Sequence, residues 1–363
     1  MSDTELTQRK SDHLRIVAEE DVAHRAASLL GDVQLLHQAL PELNLSAIDT
    51  SVEFFGKRLA NPLMITSMTG GAERAGELNR ALAAVAAQCG VAFAVGSQRV
   101  MLHRPETCAD FAVREELGAD GVLLGNIGAA QLRQYEPAQI AALAQRIEAD
   151  GMCVHLNVAH ELAQDEGDRT FDGIVAALTR LVEALEGRVL VKETGAGLSP
   201  EALALLCGCG VKYIDVAGAG GTSWTRVEGY RVRTPKARAV AETFADWGIP
   251  TAFSVLAARR VCPPDCCIIG SGGIHTGLDA ARTIACGARL AGVARSLLLA
   301  YTAGGVDGAV AHLRRMVHEL RCAMLLTSAA RVAELQQVRR VYTGRLREWL
   351  SAYRWLDLLE QNA

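Results

Sequence analysis

The sequence lacks any apolar stretch of the roughly 18 residues that a membrane-spanning helix needs. Its first fifteen residues are polar and of mixed charge, without the apolar core of a secretory signal. From these absences we expect a cytoplasmic protein with no membrane partner.

An excess of positive charge is also missing. Lys and Arg number 37 and Asp and Glu 41, which gives a net charge of −4. Such a balance does not attract polyanions, and no basic run of useful length compensates for it. The charge pattern therefore argues against a nucleic-acid partner.

The ten cysteines do not indicate a disulfide framework, because such frameworks are typical of short secreted domains and this chain is long. The pairs Cys207/Cys209 and Cys266/Cys267 have no second cluster at zinc-finger spacing. We expect reduced thiols that pack in the interior.

What the sequence does contain is a repeating pattern of strand and helix. Half of its 363 residues are apolar and only 21% are charged, as in a compact globular protein. Eight short apolar runs are predicted to be strands: residues 63–67, 92–96, 121–125, 152–157, 189–193, 213–216, 267–270 and 290–294. Most precede a helical pattern, which predicts parallel βαβ units and an α/β fold, the (β/α)8 TIM barrel. A ninth run, 250–255, is predicted to begin a helix at Pro250.

No low-complexity tract or linker divides the chain, so we predict one domain over residues 1–363. An N-terminal extension (1–61) is expected to hold a helix around 22–29 and a short strand around 51–55. The barrel is expected to span 62–300, with C-terminal helices over 301–363. Apolar residues three or four apart predict helix throughout 306–359.

In such a barrel the active site lies at the carboxyl ends of the strands. The strongest feature there is the glycine pair Gly272-Gly273 after the seventh strand, together with Ala294-Arg295 after the eighth. Glycines let backbone N–H groups approach a phosphate, and a helix starting after the eighth strand would add a favourable dipole. The pattern fits FMN or a sugar phosphate, and plain turn glycines are the alternative.

Lys192 ends the fifth predicted strand and should face the barrel axis. An unpaired ammonium is costly there, so the residue requires an anionic partner. The edge of a reduced flavin meets that demand. A neighbouring carboxylate such as Glu193 is the alternative.

A second set of cations, Arg9, Lys10, His13 and Arg99, lies outside the phosphate loops. Two anion sites in one barrel suggest a phosphorylated cofactor and a phosphorylated substrate, whereas a solvated tail is the alternative for Arg9 and Lys10. A carboxylate near a diphosphate needs a bridging cation, so Glu161 is a candidate Mg²⁺ ligand.

Taken together and in this order, several motifs resemble the flavin-dependent (type 2) isopentenyl-diphosphate isomerases. The resemblance covers most of the chain, from RKSDH (9–13) to the less diagnostic RLREWL (345–350). The most specific motifs are ITSMTGG (65–71), GSQR (96–99), EGDR (166–169), VKE (191–193), GGTSW (220–224) and SGGI (271–274).

The resemblance implies a homo-oligomer, a tetramer or octamer, that uses FMN, NADPH and Mg²⁺ to convert isopentenyl diphosphate to dimethylallyl diphosphate. The FMN-binding positions that it implies are Ser67, Met68, Thr69, Ser97, Asn126, Lys192, Thr222, Gly272, Gly273, Ala294 and Arg295. The substrate-facing positions are Arg9, Lys10, Ser97, Gln98, Arg99, His155, Asn157 and His160. Glu161 is the implied Mg²⁺ ligand, and reduced FMN is the implied proton carrier in a redox-neutral allylic shift.

One position departs from the family pattern. Where the family has Gln before the metal-binding Glu, this chain has His160. Imidazole can exchange a proton near neutral pH, so His160 is a candidate catalytic residue. A diverged flavoenzyme acting on a related prenyl diphosphate is the alternative.

Two other functions remain open at this point. A flavin-dependent hydroxy-acid oxidase is disfavoured, because the His and Arg pair that such oxidases share is absent from the loop 218–224. A non-catalytic flavin protein on the same scaffold is the third hypothesis.

Overall fold

The computed structural model describes residues 3–68 and 75–360. The N-terminal extension forms helix α1 (Asp3–Glu19), strand β1 (Val33–Leu35) and a hairpin of β2 (Val52–Phe54) and β3 (Lys57–Leu59). The hairpin confirms the strand predicted around 51–55. It turns at Phe55 and Gly56, both at positive φ (47° and 74°).

The helix predicted around residues 22–29 is wrong. The backbone of this segment bonds instead to the loop after the sixth barrel strand, where Ala23 bridges Thr222 and His24 donates its N–H to Gly221. Leu29 has a φ of 58°, outside the right-handed helical region. Tertiary contacts therefore override the local helical pattern.

All eight predicted barrel strands are confirmed. They are β4 (Leu63–Ile65), β5 (Ala92–Ala94), β6 (Leu123–Gly128), β7 (Gly151–His155), β8 (Val189–Lys192), β9 (Tyr213–Asp215), β10 (Cys267–Ser271) and β11 (Leu290–Val293). Each pairs in parallel with the next strand of the barrel, and β11 closes it on β4, with Gly292 opposite Met64.

Helices connect the strands and cover the outside of the barrel. They are α2 (Ala75–Cys89), α3 (Arg114–Leu117), α4 (Pro137–Arg146), α5 (Val158–Ala163), α6 (Ile174–Ala184), α7 (Pro200–Gly208), α8 (Trp224–Arg231), α9 (Pro235–Thr243), α10 (Thr251–Val261) and α11 (Gly277–Ala285). The start of α10 directly after Pro250 confirms the helix predicted there.

The interior of the barrel is a packed apolar core. Met64, Leu124 and Ile269 are fully buried in it, and Phe54 of the hairpin packs against the same cluster. Phe55 stacks on Tyr213 with ring centroids 3.9 Å apart. The hairpin thus closes the amino-terminal end of the barrel and leaves the opposite end for a site.

Beyond the barrel lie α12 (Arg295–Leu326), α13 (Val332–Leu335), β12 (Arg340–Tyr342), α14 (Gly344–Ala352) and α15 (Asp357–Glu360). The prediction of helix throughout 306–359 is therefore wrong at β12, which pairs antiparallel with β1 of the extension. The paired residues are more than 300 positions apart in sequence, so no local pattern could predict this strand pairing.

All ten cysteines are free, as predicted. Among the residues that the structure describes, no helix is both long and apolar enough to cross a membrane.

Candidate active site

A pocket opens at the carboxyl ends of the barrel strands, under the extension. It is lined by most residues that the sequence motifs single out: Arg9, Lys10, Ser67, Met68, Ser97, Arg99, Asn126, His155, Asn157, His160, Glu161, Lys192, Thr222, Gly272, Gly273, Ala294 and Arg295. The chain therefore brings together residues that are up to 286 positions apart in sequence.

One described residue of the predicted site, Gln98, does not line this pocket. Thr69 lies outside the described residues. Gln98 is fully buried behind the wall, where its amide donates to Leu143 O (3.0 Å) and its Oε1 accepts from Asn126 N (3.0 Å). Gln98 supports the wall rather than lining it, because both ends of its amide are engaged.

The glycine-rich end of β10 and the start of α12 form one wall. Gly272 and Gly273 have φ values of 102° and 77°, and a Cβ on either would collide with the backbone of the 218–220 loop. Only glycine permits this close approach. Helix α12 begins at Arg295, directly after β11, so its N-terminus faces the pocket as the sequence predicts. This geometry suits a phosphate group.

Lys192 is buried beside this wall and donates from Nζ to the backbone oxygen of Glu193 at 2.6 Å. The Glu193 carboxylate is turned away and accepts from Gly195 N and Ala196 N. Burial raises the pKa of Glu193 to about 7 and also raises the pKa of Asp215, the carboxyl nearest across the strands. Among the described residues Lys192 has no ion pair, so its charge is available to a ligand.

Ser67 is a second residue in the pocket wall that suits a polar ligand group. Its Oγ is buried in the pocket wall and, apart from a weak interaction with the Cys153 thiol, has no hydrogen-bond partner among the described residues. A buried hydroxyl without a partner costs free energy, which a bound polar group would recover.

Helix α1 lies across the mouth of the pocket and carries three members of the second cation set, Arg9, Lys10 and His13. Arg9 donates to Gln164 Oε1 (2.9 Å) and Lys10 to Ser97 O (3.3 Å). Arg295 donates to Val17 O (3.0 Å) and Glu20 O (2.9 Å), which anchors the end of the helix. Burial, with repulsion from Arg9, Arg99 and Arg104, lowers the pKa of Lys10 to about 7.

His155 stands between the two cation sets. Its Nδ1 lies 2.8 Å from Asn126 Oδ1, so this nitrogen carries the proton. Burial and the charge of Lys192 lower the pKa of His155 to about 3, which keeps the ring neutral. A neutral ring this close to several cations adds a polar group without adding charge.

Glu161 is the one carboxylate that lines the pocket within the described residues. Its two oxygens accept from Asn157 Nδ2 (2.6 Å) and Asp168 N (2.8 Å), and its backbone oxygen accepts from Arg169. The side chain is thus held at the pocket edge by the turn that the EGDR motif forms. Oxygen ligands of this kind suit Mg²⁺.

Glu228 on α8 is a site residue that the sequence reasoning missed. It is fully buried, and its Oε1 lies 2.7 Å from both His13 Nε2 and His160 Nε2. Arg231 holds its Oε2 at 2.7 Å and also pairs with Glu166. Burial alone would raise the pKa of Glu228, but its hydrogen bonds with the two imidazoles hold it well below the usual value. One signal was available: Glu228 lies one helical turn after Trp224 of the GGTSW motif.

Residues 155–341, more than half of the chain, match the family model described as FMN-dependent dehydrogenase. Among solved structures, one of mandelate oxidase with (S)-2-phenylpropionate has a TM-score of 0.63 and 17% identity, covering 94% of this chain and 98% of that chain. At that identity the likeness speaks for the fold alone, and it confirms the (β/α)8 barrel.

Curated relatives match over nearly the whole length. The "isopentenyl-diphosphate delta-isomerase" of Halobacterium salinarum is 42% identical, with 96% of each chain covered. That of Stutzerimonas stutzeri is 44% identical, with 93% of this chain and 98% of the relative covered. That of Methanopyrus kandleri is 41% identical, with 95% and 94% covered. This chain belongs to the flavin-dependent (type 2) isopentenyl-diphosphate delta-isomerase family.

Proposed function

We propose that the protein converts isopentenyl diphosphate to dimethylallyl diphosphate by a redox-neutral allylic proton shift. The observation that carries this proposal is the presence of two separate anion sites in one pocket. One is the glycine cradle at Gly272 with Lys192 nearby, and the other is the cation set of Arg9, Lys10 and Arg99. A phosphorylated flavin and a diphosphate substrate require such a pair.

The residues fit FMN as cofactor. The supporting observations are the cradle that a Cβ would fill and, within the described part of the chain, the Ser67 hydroxyl without a hydrogen-bond partner and the Lys192 charge without an ion pair. Reduced FMN supplies the proton exchange of the reaction, with NADPH as the proposed reductant. The residues proposed to hold it are Ser67, Met68, Thr69, Ser97, Asn126, Lys192, Thr222, Gly272, Gly273, Ala294 and Arg295.

The substrate diphosphate is proposed to bind under α1. Arg9, Lys10 and Arg99 supply its countercharges, and Ser97, His155 and Asn157 supply hydrogen bonds. Glu161 is proposed to hold Mg²⁺ against the same diphosphate, since a carboxylate beside this anion requires a cation between them. Gln98 then acts indirectly, by fixing Asn126.

His160 is the proposed proton-exchanging side chain. With Nε2 donating to Glu228, a neutral His160 keeps the lone pair of Nδ1 free to accept a proton. The Glu228 carboxylate stabilises the imidazolium that results. We expect His160→Gln to keep or raise isomerase activity, because Gln is the residue that the family has at this position and can take the place of His160 there. A total loss would mean that His160 has chemistry of its own. The names of the relatives do not favour the alternative of a diverged flavoenzyme.

The test compares the amount of product formed with the amount of NADPH consumed. The enzyme with FMN, Mg²⁺ and NADPH receives isopentenyl diphosphate, and dimethylallyl diphosphate and NADPH are followed together. The proposal predicts many products for each NADPH consumed. One NADPH consumed per isopentenyl diphosphate lost, with a reduced product in place of dimethylallyl diphosphate, would instead identify a net oxidoreductase. No product from a reducible flavoprotein would identify a protein that has lost turnover.

We further propose that residues 1–363 act as one FMN-binding domain and that the protein is a cytoplasmic homo-oligomer, a tetramer or octamer. The pairing of β1 with β12 supports the single domain, because it joins the extension to the C-terminal segment. Sedimentation velocity of the holoenzyme measures the oligomer.

A further inference from the structure

Three potential metal-ligand atoms converge at the pocket mouth. The Nε2 atoms of His13 and His160 and a carboxylate oxygen of Glu228 all lie within 4.8 Å of one another. They come from three different helices, α1, α5 and α8. Among the described residues this is the one group of three or more His, Cys, Asp or Glu side chains that is so arranged.

We propose that His13, His160 and Glu228 form a binding site for a divalent transition-metal ion, with Zn²⁺ as the preferred ion, separate from the Mg²⁺ position at Glu161. Two imidazoles and one carboxylate are a donor set for Zn²⁺ and its neighbours in the first transition row, whereas Mg²⁺ prefers an all-oxygen shell. The inference does not rest on the proposed isomerase function.

The surroundings favour a metal ion with three protein ligands and one open coordination position. Arg231 holds only Oε2 of Glu228, at 2.7 Å, so Oε1 is the oxygen that faces the two imidazoles. Both histidines line the pocket, with side chains 12% and 14% exposed, so an ion can enter and keep a fourth position for water or a ligand. The Trp224 ring lies about 5.4 Å from the His13 ring and restricts its movement.

The proposed site is distinct from Glu161, although Glu161 directly follows His160 in the sequence. Both oxygens of Glu161 are directed to Asn157 and to the backbone of Asp168, whereas the His160 ring is directed to Glu228. The Mg²⁺ position and the proposed transition-metal position therefore use different donor atoms.

Binding requires a small opening. Each imidazole nitrogen is now 2.7 Å from Oε1, a hydrogen-bond distance. Ligand atoms at about 2.1 Å from a tetrahedral ion lie roughly 3.4 Å apart. The side chains must therefore separate by about 0.7 Å, and each ring must carry its proton on Nδ1 so that Nε2 can bind the ion. His13 can follow because it belongs to the extension. A bound ion would tie α1 to the barrel and occupy His160.

Cobalt titration of the full-length holoenzyme tests this proposal. Difference spectra against the metal-free holoenzyme report the visible bands of Co²⁺, and thiolate ligands add a near-ultraviolet charge-transfer band that this site must lack. Competition with a chromophoric chelator then ranks Zn²⁺ against Co²⁺. We expect one ion per chain, with Zn²⁺ the tighter, and no thiolate band.

The decisive variant is His160→Gln, which removes one ligand at the pocket wall and leaves Glu228 paired with Arg231. It should weaken binding at least tenfold. His318→Gln is the matched control. His318 Nε2 lies 3.7 Å from Cys322 Sγ on α12, so these two side chains could bind an ion at the surface in place of the proposed site. Equal affinity in wild type and His160→Gln, loss of binding in His318→Gln, or a dominant thiolate band would each overturn the proposal. Thermal melting of each variant confirms that it is folded.

Discussion

The ammonium group of Lys10 lies 3.3 Å from the backbone oxygen of Ser97, which fixes a cation of the extension over the end of the second barrel strand. Burial and three neighbouring arginines lower its pKa from 10.5 to about 7. Lys10 is therefore largely neutral above that pH unless an anion binds beside it.

This shift makes diphosphate binding depend on pH. A bound diphosphate raises the pKa of Lys10 again, so binding takes up a proton at pH values above about 7. We expect the contribution of Lys10 to the affinity to be constant below pH 7 and to fall above it, by at most about tenfold per pH unit. Calorimetry with inorganic diphosphate in buffers of different ionisation enthalpy measures the uptake.

Lys10→Arg is the control for this effect, since a guanidinium stays protonated throughout the range. The variant should bind with a flatter pH dependence, and what remains reports the titration of diphosphate itself. Identical proton uptake by wild type and Lys10→Arg would show that Lys10 does not contact the anion.

Elements whose burial is visible in the local sequence could be predicted, whereas roles that depend on distant contacts could not. Strands such as β8 and β10 are buried on both faces, so they appear as apolar runs that can be read locally. Helix α1 is polar, and its role depends on contacts such as that between His13 and Glu228, 215 residues apart. Glu228 could not be predicted for the same reason, because only the tertiary structure places it against His13 and His160 of the pocket.

Arg295 provides a second prediction, because it holds the carbonyls of Val17 and Glu20 at the end of α1. Arg295→Met should release the helix at a cost of about 2 kcal/mol, which is roughly thirtyfold in substrate affinity. The KM for isopentenyl diphosphate and the rate of proteolysis near the N-terminus measure this. Arg260→Met is the control, since Arg260 pairs with Asp357 at the surface.

Arg295 is also proposed to hold FMN, so a second pattern would remove only its role at α1. If Arg295→Met lost FMN and kept its substrate affinity once FMN was saturating, Arg295 would act on the cofactor alone.

Lys192→Ala should weaken FMN binding by about tenfold or more, because it removes a buried cation beside the glycine cradle. Flavin fluorescence during dilution gives the dissociation constant. Lys212→Ala, which removes an exposed lysine paired with Asp265, should leave FMN in place. A Lys192→Ala protein that stays fully yellow on dilution contradicts the assigned role.

Glu161→Gln should raise the Mg²⁺ concentration needed for half-maximal activity by roughly tenfold or more, since an amide oxygen is a weaker Mg²⁺ ligand than a carboxylate. Asp172→Asn is the matched control, because Asp172 is an exposed acid that pairs with Arg133. An unchanged Mg²⁺ requirement in Glu161→Gln would remove Glu161 from the metal site.

The central claim is that this pocket moves a proton between two carbons of isopentenyl diphosphate without net redox change. The most direct measurement is NMR of the product formed in deuterated water by the NADPH-reduced enzyme with FMN and Mg²⁺. The account predicts dimethylallyl diphosphate that carries solvent deuterium. Unlabelled starting material recovered from a yellow, reducible protein would contradict it.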